Sequence, residues 1–311
     1  MDTKKYKRLT NIPGFASMVG SGPQAGVLIM VLTTAFFATS DTIAKLIGES
    51  VPLLVMLWVR YLFQAGVLGV WNFQKAGMTA FRVGNIKLQV VRSLLLLANS
   101  ACTFAGLRHL PLPVTTSLAM MAPLIATLLA ATVLGDTVSK GKWAMVILGF
   151  LGMLLVVRPG GGGFSWAILF PMGGAITFAC YQVVSSRLSK LGDPIMTNFY
   201  TAFIAVLVLS LLVWADQAET VPQLARMTVG SWATVMAMAT VATLGQLTML
   251  QALRRAPLSV LTPFSYGQLG FATLFSWAIF GQVPDSWVVI GMAIIALSGA
   301  GTVLIHHRGH F

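Results

Sequence analysis

"LRHLPLPVTTSLAMMAPLIATLLAATVLG", Leu107 to Gly135, returns later in the same chain as "LRRAPLSVLTPFSYGQLGFATLFSWAIFG", Leu253 to Gly281. Without gaps, ten positions match: Leu107, Arg108, Pro111, Leu112, Val114, Thr116, Ala126, Thr127, Leu128 and Gly135 meet Leu253, Arg254, Pro257, Leu258, Val260, Thr262, Ala272, Thr273, Leu274 and Gly281. An apolar alphabet yields some coincidences, but not a shared Leu-Arg-x-x-Pro-Leu opening. A fainter echo lies upstream. Lys45 precedes Pro52 by seven residues as Arg187 precedes Pro194, and Trp58 then falls where Tyr200 does. The chain reads as an internal duplication.

Both copies are oily. Hydrophobic residues make up 57% of the 311, charged residues only 9%, and the mean hydropathy is +0.83. An average soluble domain is about 25% charged, so this composition predicts an integral membrane protein. A spanning helix takes about 20 apolar residues. Apolar runs between turn signals predict an all-α chain of ten spans, at about 26–47, 52–71, 88–107, 113–134, 142–158, 164–186, 194–214, 231–252, 258–280 and 286–305. Pro or Gly marks several breaks, as in "GESVPLL", "RHLPLP", "LGDPIM" and "RRAPLS", and the Gly160–Gly163 run reads as the junction between halves.

Five spans per half is an odd number, so the second half enters the bilayer from the opposite side. Inverted repeats of this kind are an architecture of secondary transporters, because two oppositely inserted halves expose one central site to each side in turn. The expected organisation is a tail at 1–25, a five-helix repeat at 26–158, a second at 164–305 and a tail at 306–311. Alternating the loops between two sides puts Lys4, Lys5, Lys7, Arg8, Lys75, Arg82, Lys87, Lys140, Lys142, Arg187, Lys190, Arg254, Arg255 and Arg308 on one side, and only Arg108, Arg158 and Arg226 on the other. Basic loops stay cytoplasmic, so both termini are expected in the cytoplasm. The +12 net charge is then a matter of topology, and no nucleic-acid partner is expected. The basic start before an apolar run also looks like a secretory leader with "ATS" ahead of Asp41, but its removal would leave nine spans and an unpaired half.

The ten-span duplication, the block from Gly106 to Asp136 with its continuation to "GMLLVVRP", and the second copy from Ala252 resemble EamA-type transporters of the drug/metabolite transporter superfamily. The resemblance implies a substrate cavity between the halves and carriage of a small organic metabolite across a bacterial-type inner membrane, in either direction. The block "TPFSYGQLGFATLFSWAIFGQVPDSW" looks more like the branch of riboflavin and S-adenosylmethionine uptake proteins than the amino-acid exporters. One departure stands out: the acid after the "LG" of the first copy, Asp136, is Gln282 in the second.

Ionisable groups inside spans cost about 2.5 to 3.5 kcal/mol on insertion scales, and four are candidates here. Asp41 and Lys45 share a helical face at i and i+4. In one reading Lys45 snorkels and Asp41 is a neutralised anchor. In the other, Asp41 faces the cavity, meets a solute cation or exchanges a proton, and is the carrier of any coupled proton. Arg60 lies too deep to snorkel; it pairs with Asp41, or it grips a carboxylate or phosphate on the solute. Arg92, about one turn inside its span, is expected to snorkel to the cytoplasmic face.

Uncharged groups complete the expected pocket: Trp58, Asn99 and Thr103 on one face of the third span, Tyr181, Gln182 and Ser185 on the sixth, Gln246 on the eighth, and Ser265, Tyr266 and Gln268 on the ninth. Each of these also has a plain role in tying helices together. Pro123 and Pro263 interrupt the fourth and ninth spans as bends or gates, and the small residues of the fifth and tenth suit close contact or a homodimer.

Other classes are disfavoured. No phosphate-binding loop is present, so energy would come from a gradient or the membrane potential rather than ATP. A membrane-embedded enzyme would want a nucleophile with its base, and Asp41 has neither a second carboxylate nor a histidine beside it in sequence. No cofactor or metal is expected. Cys102 and Cys180 read as small packing residues, His109 sits in a turn, and His306, His307 and His310 crowd the tail.

Overall fold

The computed structural model describes residues 23–48, 50–76, 85–122, 124, 125, 129, 140–157, 165–188, 194–255, 261 and 264–308. Among them every regular element is a helix. In chain order these are α1 (Pro23–Ile47), α2 (Leu53–Ala76), α3 (Ile86–His109), α4 (Leu112–Ala119), α5 (Lys140–Val157), a 3-10 turn at Trp166–Ile168 leading into α6 (Leu169–Leu188), α7 (Pro194–Ala215), α8 (Gln217–Arg226), α9 (Val229–Arg255), α10 (Gly267–Phe280) and α11 (Ser286–Arg308).

The helix ends follow from local chemistry. The side chain of Asn85 accepts from Leu88 N–H at 3.4 Å, capping α3. At its far end, Leu110 is extended (φ −121°, ψ 153°) because the proline that follows it clashes with a helical neighbour. The Asp285 carboxylate caps α11 through Val288 N–H at 2.9 Å. Gly281 closes α10 with φ +63°, a left-handed turn that glycine adopts without a Cβ penalty.

Five of these helices contain stretches long and apolar enough to cross a membrane: Gln24–Ile47, Leu53–Gln74, Ile86–His109, Trp166–Ser185 and Ile195–Ala215. The pair α8 and α9, bent by 106° at their junction, makes a sixth if counted as one span. Shorter apolar stretches lie at Trp143–Val156, Gly267–Phe280 and Ser286–Gly299. The expected fourth span is described as a continuous helix only through Ala119, with isolated helical residues at Ala122, Leu124, Ile125 and Leu129, and Pro123, Pro263 and the Gly160–Gly163 junction lie outside the described residues.

One element was not expected. α8 lies where the sequence reads as a polar loop before Trp232, and it opens with Asp216 accepting from the Thr220 hydroxyl at 3.2 Å. Its Leu224 packs against the core while Val221 is exposed.

Side chains are distributed as a lipid solvent demands. Large apolar groups stand on outward faces, with Leu211 66%, Trp214 70% and Leu297 69% exposed, while Thr33, Gln64, Ser93, Asn198, Thr201 and Ser298 are buried. With lipid outside there is no penalty for exposed leucine, and polar groups retreat to partners inside.

Helices of the first copy pack mainly on helices of the second: α1 on α9 and α10, α2 on α7 and α9, α3 on α6 and α7, α4 on α10 and α6, and α5 on α11. Small residues sit at these crossings. A Cβ built on Gly245 of α9 would fall 2.7 Å from Phe37 of α1, and one on Gly69 of α2 would fall 3.0 Å from Phe199 of α7. At the α5–α11 crossing the backbones themselves touch, because a Cβ on Gly152 would lie 2.9 Å from the Gly291 carbonyl and one on Gly291 2.7 Å from that of Gly152. The small residues of these two helices thus serve contact within one chain.

Candidate functional site

Three helices carry a polar layer at similar depth. At 1.5 Å of rise per residue, Asp41 lies about 9 Å below the Ile47 end of α1, Arg60 about 10 Å in from the Leu53 start of α2, and Ser100 about 14 Å from the His109 end of α3. α10 joins them through Gln268, whose Nε2 donates to Asp41 Oδ2 at 3.1 Å. Both residues are half-buried. Two residues 227 apart in sequence thus share one hydrogen bond at the seam of the halves.

Arg60 is 9% exposed, and its Nη1 donates to Ser100 Oγ at 3.2 Å. The same hydroxyl shares a 2.8 Å hydrogen bond with Tyr61 Oη. The guanidinium carbon lies 5.4 Å from the ring centroids of both Tyr61 and Phe104, a cation–π setting. Its Nε is buried without a hydrogen-bond partner among the described residues. Arg60 is near enough for its charge to act on Asp41, yet the described hydrogen bonds take the two groups to Ser100 and to Gln268 instead. One layer therefore holds an acceptor carboxylate, an amide and an under-satisfied cation.

Arg92 departs from expectation. Far from snorkelling, it is 5% exposed and spends every N–H inside the bundle. Nε donates to Ser185 Oγ at 2.8 Å, Nη1 to the Thr197 carbonyl at 3.2 Å and to Thr201 Oγ1, and Nη2 to Tyr181 Oη at 2.6 Å and Asn198 Oδ1 at 3.1 Å. All five donors meet neutral acceptors on α6 and α7, which makes the burial affordable and the role structural.

Lys45 is also redirected. Its Nζ donates to the carbonyls of Leu107 at 3.1 Å and Leu110 at 2.7 Å, and lies 5.7 Å from the Phe280 ring. It caps the end of α3, where a cation is favoured by the helix dipole.

The remaining expected site residues divide. Asn99 and Thr103 do share a face, turned to Gly174 of α6, where a Cβ would stand 3.5 Å from Asn99 Oδ1 and 3.6 Å from Thr103 Oγ1. Gln182 and Gln246 are half-buried on α6 and α9. Trp58 donates from Nε1 to Ser210 Oγ at 2.9 Å, joining α2 to α7. Tyr181 serves Arg92. Tyr266 is buried against Gly299 of α11, where any Cβ would overlap its hydroxyl. Sequence reading missed Ser100, Tyr61 and Phe104; their spacing on α2 and α3 beside Arg60 was the available signal.

Comparison with known proteins identifies the family. The profile of the EamA-like transporter family matches residues 24–158 and again 165–304. The pseudopaline exporter CntI of Pseudomonas aeruginosa (strain UCBPP-PA14) is 24% identical over 88% of this chain and 94% of its own length. The riboflavin transporter of Vibrio cholerae serotype O1 is 26% identical over 85% and 83%, and the S-adenosylmethionine uptake transporter of Rickettsia prowazekii 23% identical over 87% and 89%. A crystal structure of a protein 17% identical superposes with a TM-score of 0.60, covering 92% of this chain and 99% of that one, which is a likeness of fold. The chain belongs to the EamA-like transporter family, multi-pass membrane proteins that move small-molecule solutes.

Proposed function

We propose that the protein is a secondary carrier that moves a small organic metabolite across a bacterial-type inner membrane by alternating access, without ATP and without a catalytic step. It is built of ten spans in two inverted halves, 26–158 and 164–305, with both termini cytoplasmic.

One observation carries the reading. Exchanging each helix of the first half for its counterpart in the second (α1 for α6, α2 for α7, α3 for α9, α4 for α10, α5 for α11) maps the main contacts between the halves onto one another. The contact of α1 with α9 becomes that of α6 with α3, α2 with α9 becomes α7 with α3, and α1 with α10 becomes α6 with α4. The pairs α2–α7, α4–α10 and α5–α11 map to themselves. A two-fold relation of this kind is what two interchangeable halves need.

The solute site is the layer of Asp41, Gln268, Arg60 and Ser100. Asp41 meets a cationic or donor group, and Arg60, with unspent donors and aromatic cover, meets a carboxylate or phosphate. Asn99 and Thr103 border it from α3. Relatives named for a pseudopaline exporter and an S-adenosylmethionine uptake transporter support a charged metabolite in either direction.

Uptake into proteoliposomes under an imposed gradient tests the reading, with a panel of zwitterionic metabolites, S-adenosylmethionine and riboflavin. Wild type equilibrates at least one of them faster than empty liposomes, and Arg60→Gln weakens that solute by about tenfold or more, the worth of one charge-assisted hydrogen bond. Entry no faster than in empty liposomes across the panel refutes it.

A further inference from the structure

The bonds of Arg92 cross between the halves, from α3 to α6 and α7, about 12 Å along α3 from Ser100 of the solute layer. The duplication gives this hub a mirror. α3 answers to α9 in the register of Leu107 to Leu253, and α6 and α7 answer to α1 and α2 in the register of Pro194 to Pro52. Arg92 then falls on Met238. Its acceptors Thr197, Asn198, Thr201 and Ser185 fall on Val55, Met56, Val59 and Ile43, and Gln89, which donates to Thr197 Oγ1 at 3.5 Å, falls on Val235.

These six apolar counterparts all belong to one hydrophobic cluster, in which α9 packs on α1 and α2 and both Val235 and Met238 are fully buried. Tyr181 alone among the acceptors has a polar counterpart, Thr39, whose hydroxyl is spent on the Ala35 carbonyl of its own helix at 2.8 Å. α7 joins the two places, with Thr197 and Thr201 near its start in the first and Leu209 near its end in the second. Equivalent positions are thus closed by opposite chemistry: a hydrogen-bonded seam where α3 and α7 start, an aliphatic one where α9 and α2 start.

The first seam is also under-satisfied. Gln89, 5% exposed, keeps its Oε1 without a hydrogen-bond partner among the described residues, and so does Asn72 Nδ2, on a side chain 6% exposed near the end of α2 that leads to α3. A buried acceptor and a buried donor left over at one end are groups that water can serve.

We infer that the two seams are the gates of the carrier, a wettable gate around Arg92 at the end expected in the cytoplasm and a dry gate around Met238 at the other, and that the solute-free carrier opens more readily at Arg92. Opening there exchanges protein acceptors for water and returns the guanidinium to hydration. Opening at Met238 puts aliphatic surface into water and gains nothing in return. The dry gate then opens on differential binding of the solute. This rests on the carrier reading, but its test needs no solute.

Single cysteines at the mirrored positions, Gln89→Cys or Val235→Cys, are placed in a chain whose Cys102 and Cys180 are replaced by Ala, and the purified protein is exposed to the charged thiol reagent sulfonatoethyl methanethiosulfonate. Labelling, read by mass spectrometry, follows the population open at each end. Gln89→Cys reacts about tenfold faster or more, the factor that one aliphatic side chain left in water costs. Met238→Gln raises the rate at Val235→Cys by about tenfold, the worth of a buried amide without a partner, and lowers the rate at Gln89→Cys, because the two openings exclude each other. Val59→Thr, which copies the mirrored Thr201 at nearly unchanged volume, shifts both rates the same way should the glutamine variant fold poorly. Equal rates at the two cysteines, a faster Val235→Cys, or a rise at both ends in either variant overturns the gates. Solute uptake that persists beside such a result keeps the carrier reading.

Discussion

Replacing Arg92 with Lys keeps the charge and removes the fork. Five hydrogen-bond acceptors converge on the guanidinium, from Ser185, Thr197, Thr201, Tyr181 and Asn198. An ammonium has three donors, so at least two acceptors are stranded in a site that is 5% exposed. Each unmet buried group costs about 1–3 kcal/mol, which sums to about 2–6 kcal/mol. Some of the stacking on Tyr181, whose ring centroid is 4.7 Å from the guanidinium carbon, is lost as well. Arg92→Met strands more acceptors but removes the buried charge, and a charge with half its bonds is worse to bury than none. The lysine variant is therefore expected to be at least as unstable as the methionine one. Thermal unfolding in dodecyl maltoside, followed by circular dichroism, reads this as a Tm lower by roughly 5 °C or more, taking about 2–4 °C per kcal/mol. Arg92→Lys unfolding with wild-type Tm, together with a loss of solute binding, would show that Arg92 faces the solute and not the scaffold.

Further outcomes are as specific. Gly291→Ala forces a methyl to within 2.7 Å of the Gly152 carbonyl and costs about 1–3 kcal/mol by overpacking, whereas Gly66→Ala, with nothing inside 4 Å, stabilises by up to about 1 kcal/mol; the same unfolding assay compares them. Trp58→Phe removes the bond to Ser210 and about 1 kcal/mol of stability, with solute affinity unchanged in a binding titration. Asp41→Asn abolishes pH-driven accumulation in proteoliposomes if transport is coupled to a proton, and retained accumulation removes Asp41 from that role.

Membrane residence was legible because it is a property of average composition, and the duplication because matched residues survive in one chain. Helix breaks were legible where proline stands between apolar runs, as at Pro52 and Pro111. What failed was partner choice. Counting turns put Arg92 near an interface, but burial was decided by Tyr181 and Thr201, 89 and 109 residues away. Spacing put Asp41 and Lys45 on one face, yet Lys45 takes carbonyls that a proline had orphaned 62 residues on, and Asp41 takes Gln268. α8 reads as a loop because it is only ten residues long, polar on average, and carries Pro222 in its interior, so composition and the proline outweigh its apolar face. Long-range polar contacts have no local signature; the order of apolar blocks does.

The glycine-to-glycine crossing of α5 and α11 has a consequence for how such proteins diversify. It holds the halves together by bare backbone, on helices that bear neither Asp41, Arg60 nor Gln268. On the proposed reading of the solute layer, cargo preference is rewritten on α1, α2, α3 and α10 while the axle stays untouched. Relatives that keep only 22–26% of residues in common with this chain, and carry names as unlike as riboflavin and S-adenosylmethionine transporters, are what such a division of labour permits.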